Sequence, residues 1–359
     1  MRIRNTTTTA SSQFISEMNW TSTPEPDCVD YDALQVPLAV LYCLIFVLGL
    51  VGNSVALLVF LCVHSKKNSV RVFLINIACA DLLLVACLPF RVLYHSRGNV
   101  WNLDPTLCKV VGNLFYVNMY ISITLLGLIS VDRYLKIHRG AGPRLRLPSS
   151  RWSSVVCAVV WIASFRLAVQ QSLSVFGVSR CFHYKTLRGA EWKAHINMSV
   201  LVIFWLVFIC LLVSYGRIAL RLLRASRDKP DLPNAARYAR TARKSLFVLV
   251  LFTVCFVPYH VVRVFYIKTQ ITDTPCYWRG VVDTANEVAL LFSALNSCLD
   301  PVMYFLLSSS MRKEVLRLVG NVFRVRDFAG VSGSSSTRDG QRYRLRDGQR
   351  DRQRDGLRD

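Results

Sequence analysis

The residues of this chain with the most chemical potential are ionisable groups placed where ionisable groups are costly. Arg91 stands two positions past Pro89 and Arg263 five positions past Pro258, each near the end of a long apolar run. A guanidinium fork in such a setting calls for an anion or a wet cavity, and two of them suit bidentate capture of a phosphate or carboxylate. Snorkelling of each apolar stem toward a membrane surface is the plainer alternative, and a structural or snorkelled role is the reading assigned to Arg166, at similar depth in another run. A second set is acidic and amide-rich: Asp81 and Asp300 with Asn118, Ser122 and Asn296. Two carboxylates in a low dielectric bind a cation or share a proton, so a sodium ion or a common proton is expected there. A third set is Asp132-Arg133-Tyr134, where Asp132 can supply the counter-charge that Arg133 needs at the end of an apolar run. Metal-ligand spacing of His, Cys and Asp, a nucleophile motif and a phosphate loop are all missing from the sequence, so the expected role is not enzymatic and no cofactor beyond that ion is expected.

The elements that hold these groups follow from composition. The chain has 359 residues, 53% of them hydrophobic, yet carries 44 Lys+Arg and a formal net charge of +22. Its mean hydropathy of +0.34 is too apolar for an ordinary soluble protein, so apolar and basic residues must be segregated. Runs of about 20 or more apolar residues, enough to cross roughly 30 Å of hydrocarbon, alternate with short polar links. They fall near Val36–Val63, Val70–His95, Pro105–Ile137, Trp152–Leu173, Ala194–Leu223, Thr241–Ile267 and Gly280–Leu307. The runs lack strict alternation and are about twice as long as a barrel strand, which predicts helices. The expected fold is all-α: a seven-transmembrane helix bundle forming one domain over residues 35–307, with its two termini on opposite sides.

Charge and cysteine placement orient the bundle. Lys66, Lys67 and Arg71, then Arg139, Arg144, Arg146 and Arg151, then Arg221, Arg224, Arg227, Arg240 and Arg243 share one side, which the positive-inside rule places in the cytoplasm. The second loop on the other side, with Arg180, Lys185, Arg188 and Lys193, weakens that bias without reversing it. The amino-terminal segment, residues 1–34, holds acceptor sequons at Asn5 and Asn19 and is expected to be extracellular and glycosylated. No apolar stretch precedes Gln35, so no cleaved signal peptide is expected. Four of the 12 cysteines, Cys28, Cys108, Cys181 and Cys276, fall on the outer side, where disulfides form, and four allow three pairings. Joining Cys108 to Cys181 would pin the second outer loop over the bundle mouth and leave Cys28 to Cys276. The remaining cysteines read as small apolar filler.

After the last run, residues 308–324 place Met311, Val315, Leu316, Val319 and Phe323 on one helical face and Arg312, Lys313 and Arg317 on another, which predicts a short amphipathic eighth helix on the inner leaflet. Beyond it, residues 325–359 repeat Arg-Asp-Gly every eight residues with almost nothing apolar to bury, which reads as a disordered cytoplasmic tail. Interleaved Asp and the single aromatic of the repeat stretch, Tyr343, argue against nucleic acid as a partner. The basic charge suits inner loops facing anionic membrane lipid.

Polar residues inside apolar helices are expensive and therefore informative. Here they form an ordered set: Asn53, Asp81, Asp132-Arg133-Tyr134, Trp161, Tyr215, Phe256-Val257-Pro258, Asn296 and Asp300-Pro301-Val302-Met303-Tyr304. This set resembles that of the rhodopsin-like, G-protein-coupled receptors over residues 35–324. Pro258 and Pro301 each remove a helix hydrogen bond and create a bend about which a half-helix can swing. The resemblance implies that activation frees Arg133, moves the sixth helix outward, brings Tyr215 and Tyr304 toward the core and opens a pocket for a heterotrimeric G protein. Asp300 stands where most relatives carry Asn, Phe256 where many carry Trp, and Val207 where the fifth helix usually has proline. The first two departures are typical of the purinergic-like and lipid-receptor branch.

Within that branch, the stretches HSKKNSVRVFLIN, CLPFRVLYH, CKVVGNLFYVNMYIS, CFVPYHVVR and NSCLDPVMYFL resemble the lysophosphatidylserine receptors. That similarity implies a plasma-membrane receptor for a lysophospholipid with a phosphoserine head, coupled to an inhibitory-class G protein. It assigns Arg91 and Arg263 to phosphate and carboxylate, Glu287 to the serine ammonium, and Asn286 to a neighbouring hydrogen bond. Tyr116, Tyr120 and Tyr266 would shape the pocket and His260 would line it, although ordinary helix packing accounts for the tyrosines equally well. Ser332, Ser334, Ser335, Ser336 and Thr337 could take phosphate and recruit arrestin. A nucleotide or sugar nucleotide is the competing ligand, since the same arginines suit its phosphates. A transporter or channel would also use buried Arg and Asp, but the sequence shows neither an internal repeat nor paired broken helices.

Overall fold

The computed structural model describes residues 32–62, 69–138, 150–172, 181–182, 184, 187, 191–228, 235–307, 311–317 and 320. Among them there is helix and turn but no strand. Seven long helices carry the seven expected apolar runs, with ends displaced by a few residues: α1 Asp32–Cys62, α2 Ser69–Ser96, α3 Pro105–His138, α4 Ser150–Ser172, α5 Glu191–Asp228, α6 Ala235–Ile271 and α7 Cys276–Leu307. All seven are long and apolar enough to cross a membrane, and the chain is a multi-pass membrane protein. A short eighth helix covers 311–317, with Met311 buried and Arg312, Lys313 and Arg317 exposed, as the amphipathic pattern requires. The segments 1–31 and 321–359, which hold both sequons, Cys28 and the repetitive tail, lie outside the described residues.

Local rules set several helix ends. Pro105 opens α3 as its first residue, where a missing N–H costs nothing, and Asp104 caps it. The Asp104 carboxylate accepts from the Thr106 and Leu107 N–H groups at 2.7 and 3.3 Å. Hydrogen bonds from the Thr106 side chain and from those two amides hold the Asp104 carboxyl below its usual range. Its contribution to α3 is therefore complete at neutral pH and fades as pH falls through the depressed value. At the far end of α1, Arg71 donates to the Phe60 carbonyl, one of the last-turn acceptors that the helix itself cannot pair.

The interior prolines pose a harder problem, because a carbonyl stripped of its N–H partner finds no water in hydrocarbon. Pro301 cannot donate to the Ser297 carbonyl four residues earlier, and Asn53 of α1 does so instead, Nδ2 to oxygen at 2.7 Å, while also reaching the Gly49 carbonyl at 3.0 Å. Near Pro258, Ser293 of α7 donates its hydroxyl to the Cys255 carbonyl of α6 at 3.3 Å. Glycines let these neighbours close in. A Cβ on Gly52 would stand 2.9 Å from Pro301 Cγ, and one on Gly49 would stand 2.8 Å from Val85 Cγ2.

Packing arranges α1, α2, α3, α5, α6 and α7 around the bundle, α7 closing back onto α1 and α2. α3 is the central element, with 61% of its span buried against 22% for α4, which leans on α2 and α3 from outside. Among the described residues the backbones of α4 and α5 do not approach each other closely along their lengths. Val36, Val40, Leu44, Val47, Leu48 and Val51 of α1 form one of the apolar surfaces turned outward to lipid. The core runs through Phe252, Phe256, Tyr215, Tyr304, Ile121 and Leu125.

The α1–α7 seam yields a prediction. Asn53→Ala leaves the buried Ser297 carbonyl without a donor and is expected to cost about 1–3 kcal/mol, read as a lower melting temperature of the detergent-solubilised protein. Gly52→Ala should lower it too, because the proline ring cannot yield. Gly216→Ala, with nothing within 4 Å of the added methyl, should hold or raise it.

Candidate functional site

The disulfide Cys108–Cys181 marks one end of the bundle, joining the first turn of α3 to the segment before α5. Cys276 is disulfide-bonded as well, whereas Cys28, its expected partner, lies outside the described residues. Phe182 follows the bridge with a positive φ of 61°, a conformation that a bulky residue adopts only when its surroundings impose it. Its ring packs edge-on against Tyr94 and Trp101 and lies within van der Waals reach of the Cα face of Gly112.

Below Phe182 sits Arg91 on α2, 3% exposed. Its guanidinium carbon lies 4.2 Å from the Phe182 ring centroid, 4.6 Å from that of Phe115 and 5.7 Å from that of Tyr42. Its Nη1 meets Glu287 Oε2 of α7 at 2.7 Å, with both side chains almost wholly buried. Arg91 and Glu287, given separate tasks by the sequence reading, are thus paired with each other. His95, one turn along α2, stacks on Tyr42 and bonds Asn99 at 2.8 Å. A buried ion pair repays its desolvation only when both partners stay in place, and here it ties α2 to α7.

Arg263 on α6 has a different environment. It is half-buried, among tyrosines rather than acids: its guanidinium carbon lies 4.6 Å from the Tyr266 ring centroid and 5.9 Å from those of Tyr116 and Tyr259. It lines a cavity between α3, α4, α5 and α6 together with Tyr116, Tyr120 and Tyr259. The opposite wall includes Leu167 and Ala168 of α4 and Ile196 and Val200 of α5, with Asn113, Asn197 and Ser164 as further polar points. Tyr116 lies within electrostatic reach of both arginines, and Tyr266 within reach of Glu287, so the two arginine environments adjoin. His260 is fully buried, its ring stacked 3.4 Å from that of Phe204, Nδ1 on the Phe256 carbonyl and Nε2 without a partner. It packs behind the cavity against Tyr120 and does not line it. Arg166 is exposed on the outer face of α4, consistent with snorkelling.

Deeper in the bundle, Asn118 donates to Asp81 at 2.9 Å, Asn296 donates to Asp300 at 2.8 Å, and the two carboxyl groups face each other within hydrogen-bond reach. Asp81 Oδ2 and the Ser122 hydroxyl have no protein partner among the described residues. Such a donor set fits a shared proton or a monovalent cation; no cluster of three His, Cys, Asp or Glu that would hold a heavier metal occurs among the described residues. Farther toward the opposite end, Asp132 is fully buried, Tyr134 accepts a long hydrogen bond from Arg217 of α5 at 3.4 Å, and the Arg133 side chain is outside the described residues. Tyr215 and Tyr304 are both about 1% exposed, Tyr304 tilting against Phe60, and Phe256 packs edge-on to Phe252. Pro258 and Pro301 lie inside α6 and α7, as hinges must.

Sequence reasoning missed Phe182, Phe115 and Tyr42 as the aromatic cage of Arg91, and Asn113, Asn197 and Ser164 as cavity residues. The amides stood in apolar runs and were visible to the rule that singled out the arginines. The aromatic rings were not, because rings in apolar helices are commonplace.

The Arg91–Glu287 pair can be tested without a ligand. Glu287→Leu leaves a buried guanidinium unpaired and should cost about 3–5 kcal/mol. Adding Arg91→Met to it should recover part of that loss, measured by thermal unfolding of the solubilised protein.

Residues 52–304 match the family model described as 7 transmembrane receptor (rhodopsin family). The chain is 46% identical over 327 residues to Probable G-protein coupled receptor 34 of Mus musculus, covering 90% of this chain and 86% of that protein. The same-named protein of Pan troglodytes is 46% identical over 313 residues, covering 85% and 82%. Purinoceptor 14 of Rattus norvegicus is 32% identical over 302 residues, covering 82% and 98%. The buried polar ladder, the proline-broken sixth and seventh helices and these similarities agree: the chain belongs to the rhodopsin family of seven-transmembrane, G-protein-coupled receptors, which are signalling proteins and not enzymes.

Proposed function

We propose that this receptor responds to a lysophospholipid, lysophosphatidylserine foremost, at the plasma membrane and signals through an inhibitory-class G protein. The observation that carries the reading is the two-sided cavity between α3, α4, α5 and α6. Arg263 and three tyrosines supply a cationic, hydrogen-bonding wall, and Leu167, Ala168, Ile196 and Val200 supply an apolar one. An anionic head with a single acyl chain needs both walls, and the wide spacing of the α4 and α5 backbones would give the chain a route from the bilayer. Among the described residues Arg263 meets no acid, so its guanidinium is available to a phosphate or carboxylate, whereas Arg91 must first part from Glu287.

The orientation belongs to the same reading: the disulfide end outside, with glycans at Asn5 and Asn19, and the Asp132 end inside, facing the G protein and, after phosphorylation of the serine-rich tail, arrestin. A sodium ion at Asp81, Asn118, Ser122, Asn296 and Asp300 would favour the resting arrangement, since the unpaired Asp81 oxygen and Ser122 hydroxyl can complete its coordination. A nucleotide is the second reading, favoured by the similarity to proteins named purinoceptors.

A cell-based G-protein activation assay separates the two. Lysophosphatidylserine should activate the receptor where adenine nucleotides do not, pertussis-toxin treatment should abolish the response, and Arg263→Ala should lose about 2 kcal/mol or more of agonist binding at normal surface expression. A response to nucleotides with silence to every lysophospholipid would replace the lipid reading.

A further inference from the structure

The outward face of α5 changes character along its length. Val202, Leu206, Ile209, Val213 and Leu220 recur at helical spacing on one stripe, and all five are exposed, as suits a surface turned to hydrocarbon. Arg217 and Arg224 fall on that same stripe, with Arg221 one turn beyond Arg217 at its edge, and all three are exposed too. The opposite face carries Leu211, Tyr215 and Ile218, all buried in the bundle. The arginines therefore prolong the membrane stripe and not the inner surface that holds Tyr215. Their depth follows from length: α5 has 38 residues from Glu191, about 57 Å by helix rise, against a bilayer of about 40–45 Å with its headgroups. Arg217, about 39 Å along the helix, comes level with the far headgroups, and Arg224 stands about 10 Å beyond it. Among the described residues neither Arg217 nor Arg224 meets a carboxylate. Arg217 reaches the Tyr134 hydroxyl at 3.4 Å, a bond long enough to give way. The sequence holds no Asp or Glu between Asp132 and Glu191, and the link from α3 to α4 adds Arg139, Arg144 and Arg146. In the far half of α5 the one acid is Asp228, its last residue.

We propose that Arg217, Arg221 and Arg224 form a site for the head of a phosphoinositide in the inner leaflet. The phosphodiester at the membrane surface meets Arg217, and the phosphates on the inositol ring, standing farther out, meet Arg221 and Arg224. The headgroup layer is about 5–8 Å deep on each side, so a ladder about 10 Å tall overreaches a serine head and matches a head with phosphates at two levels. All three positions are Arg, whose planar fork grips phosphate oxygens in pairs where a lysine offers a point charge. The acyl chains then lie along Val213 and Leu220 of the same stripe. A phosphate on Arg217 draws it away from Tyr134, so occupancy loosens a link between α3 and α5 beside the Asp132-Arg133-Tyr134 motif. The inference is independent of the agonist and rests only on the proposed orientation, with this end of the bundle in the cytoplasm.

The test titrates the purified full chain in detergent micelles with phosphatidylinositol bisphosphate labelled on an acyl chain, followed by fluorescence anisotropy, with phosphatidylserine and soluble inositol trisphosphate as competitors. Micelles have no sides, so the outcome does not depend on the orientation. The bisphosphate is expected to bind about fivefold or more tighter than phosphatidylserine, the share of one arginine that a serine head does not reach. Arg217→Gln, Arg221→Gln and Arg224→Gln together should weaken it about a hundredfold, whereas Arg312→Gln, Lys313→Gln and Arg317→Gln in the eighth helix, which remove the same charge, should leave it within about threefold. Arg224→Gln alone, with an expected loss of about fivefold, decides the matter should the triple α5 variant not fold. Equal binding of phosphatidylserine, or an equal loss in the eighth-helix variant, would mean a general anionic surface and overturn the proposal. Competition by the soluble trisphosphate as strong as by the lipid would overturn the lipid assignment. Unchanged lipid affinity in the α5 variant, with G-protein activation lost in cells, would make the stripe a protein contact and overturn it as well.

Discussion

A carbonyl group four residues before a proline has no donor in its own helix, and in hydrocarbon there is no water to take the place of one. The hydrogen bond from Asn53 to the Ser297 carbonyl answers that constraint, and much of the bundle is arranged around it. Gly49 and Gly52 thin the α1 surface so that Asn53 can reach, and Pro301 lies against Gly52 as a consequence. The bend in α7 can then be kept without an unpaired backbone group. The Ser293 bond to the Cys255 carbonyl ties α7 to α6 beside the bend at Pro258, one residue past the Val254 carbonyl that the proline leaves without a helix donor. α7 is therefore tethered at its weak point by a side chain from α1, and a change in that bend has to exchange the bond.

The two arginines near the disulfide end show how one residue type takes two roles. Arg91 is wholly buried, paired with an acid and enclosed by three rings, so its charge is spent in joining α2 to α7. Arg263 is half-buried with tyrosines for company, and its charge is directed to a cavity. Aromatic faces soften the desolvation of a guanidinium without neutralising it, which keeps Arg263 attractive to anions. The difference is set by what α7 offers each one: Glu287 faces Arg91, and among the described residues no acid faces Arg263.

The fold was legible because hydrocarbon enforces long apolar helices, and the same penalty made Asn53, Asp81, Arg91, Arg263 and Asp300 conspicuous among Leu and Val. Partnerships were less legible. Nothing in the spacing of Arg91 and Glu287, 196 residues apart, says that they meet, and each was expected to serve a different ligand group. His260 was expected in the cavity wall, yet the register of α6 turns it onto Phe204 behind that wall.

On the proposed lipid reading, the wide spacing of the α4 and α5 backbones has a consequence for how potency is to be understood. A ligand that enters between them would be drawn from the bilayer, a thin two-dimensional reservoir in which an amphiphile is concentrated far above its level in water. Each added methylene then raises the local supply by favouring partition and, separately, changes the fit against Leu167 and Val200. A longer acyl chain can therefore look like a better agonist while binding no more tightly. Dose referred to the aqueous phase would mix two free energies, and only dose expressed per lipid molecule would isolate the receptor's own.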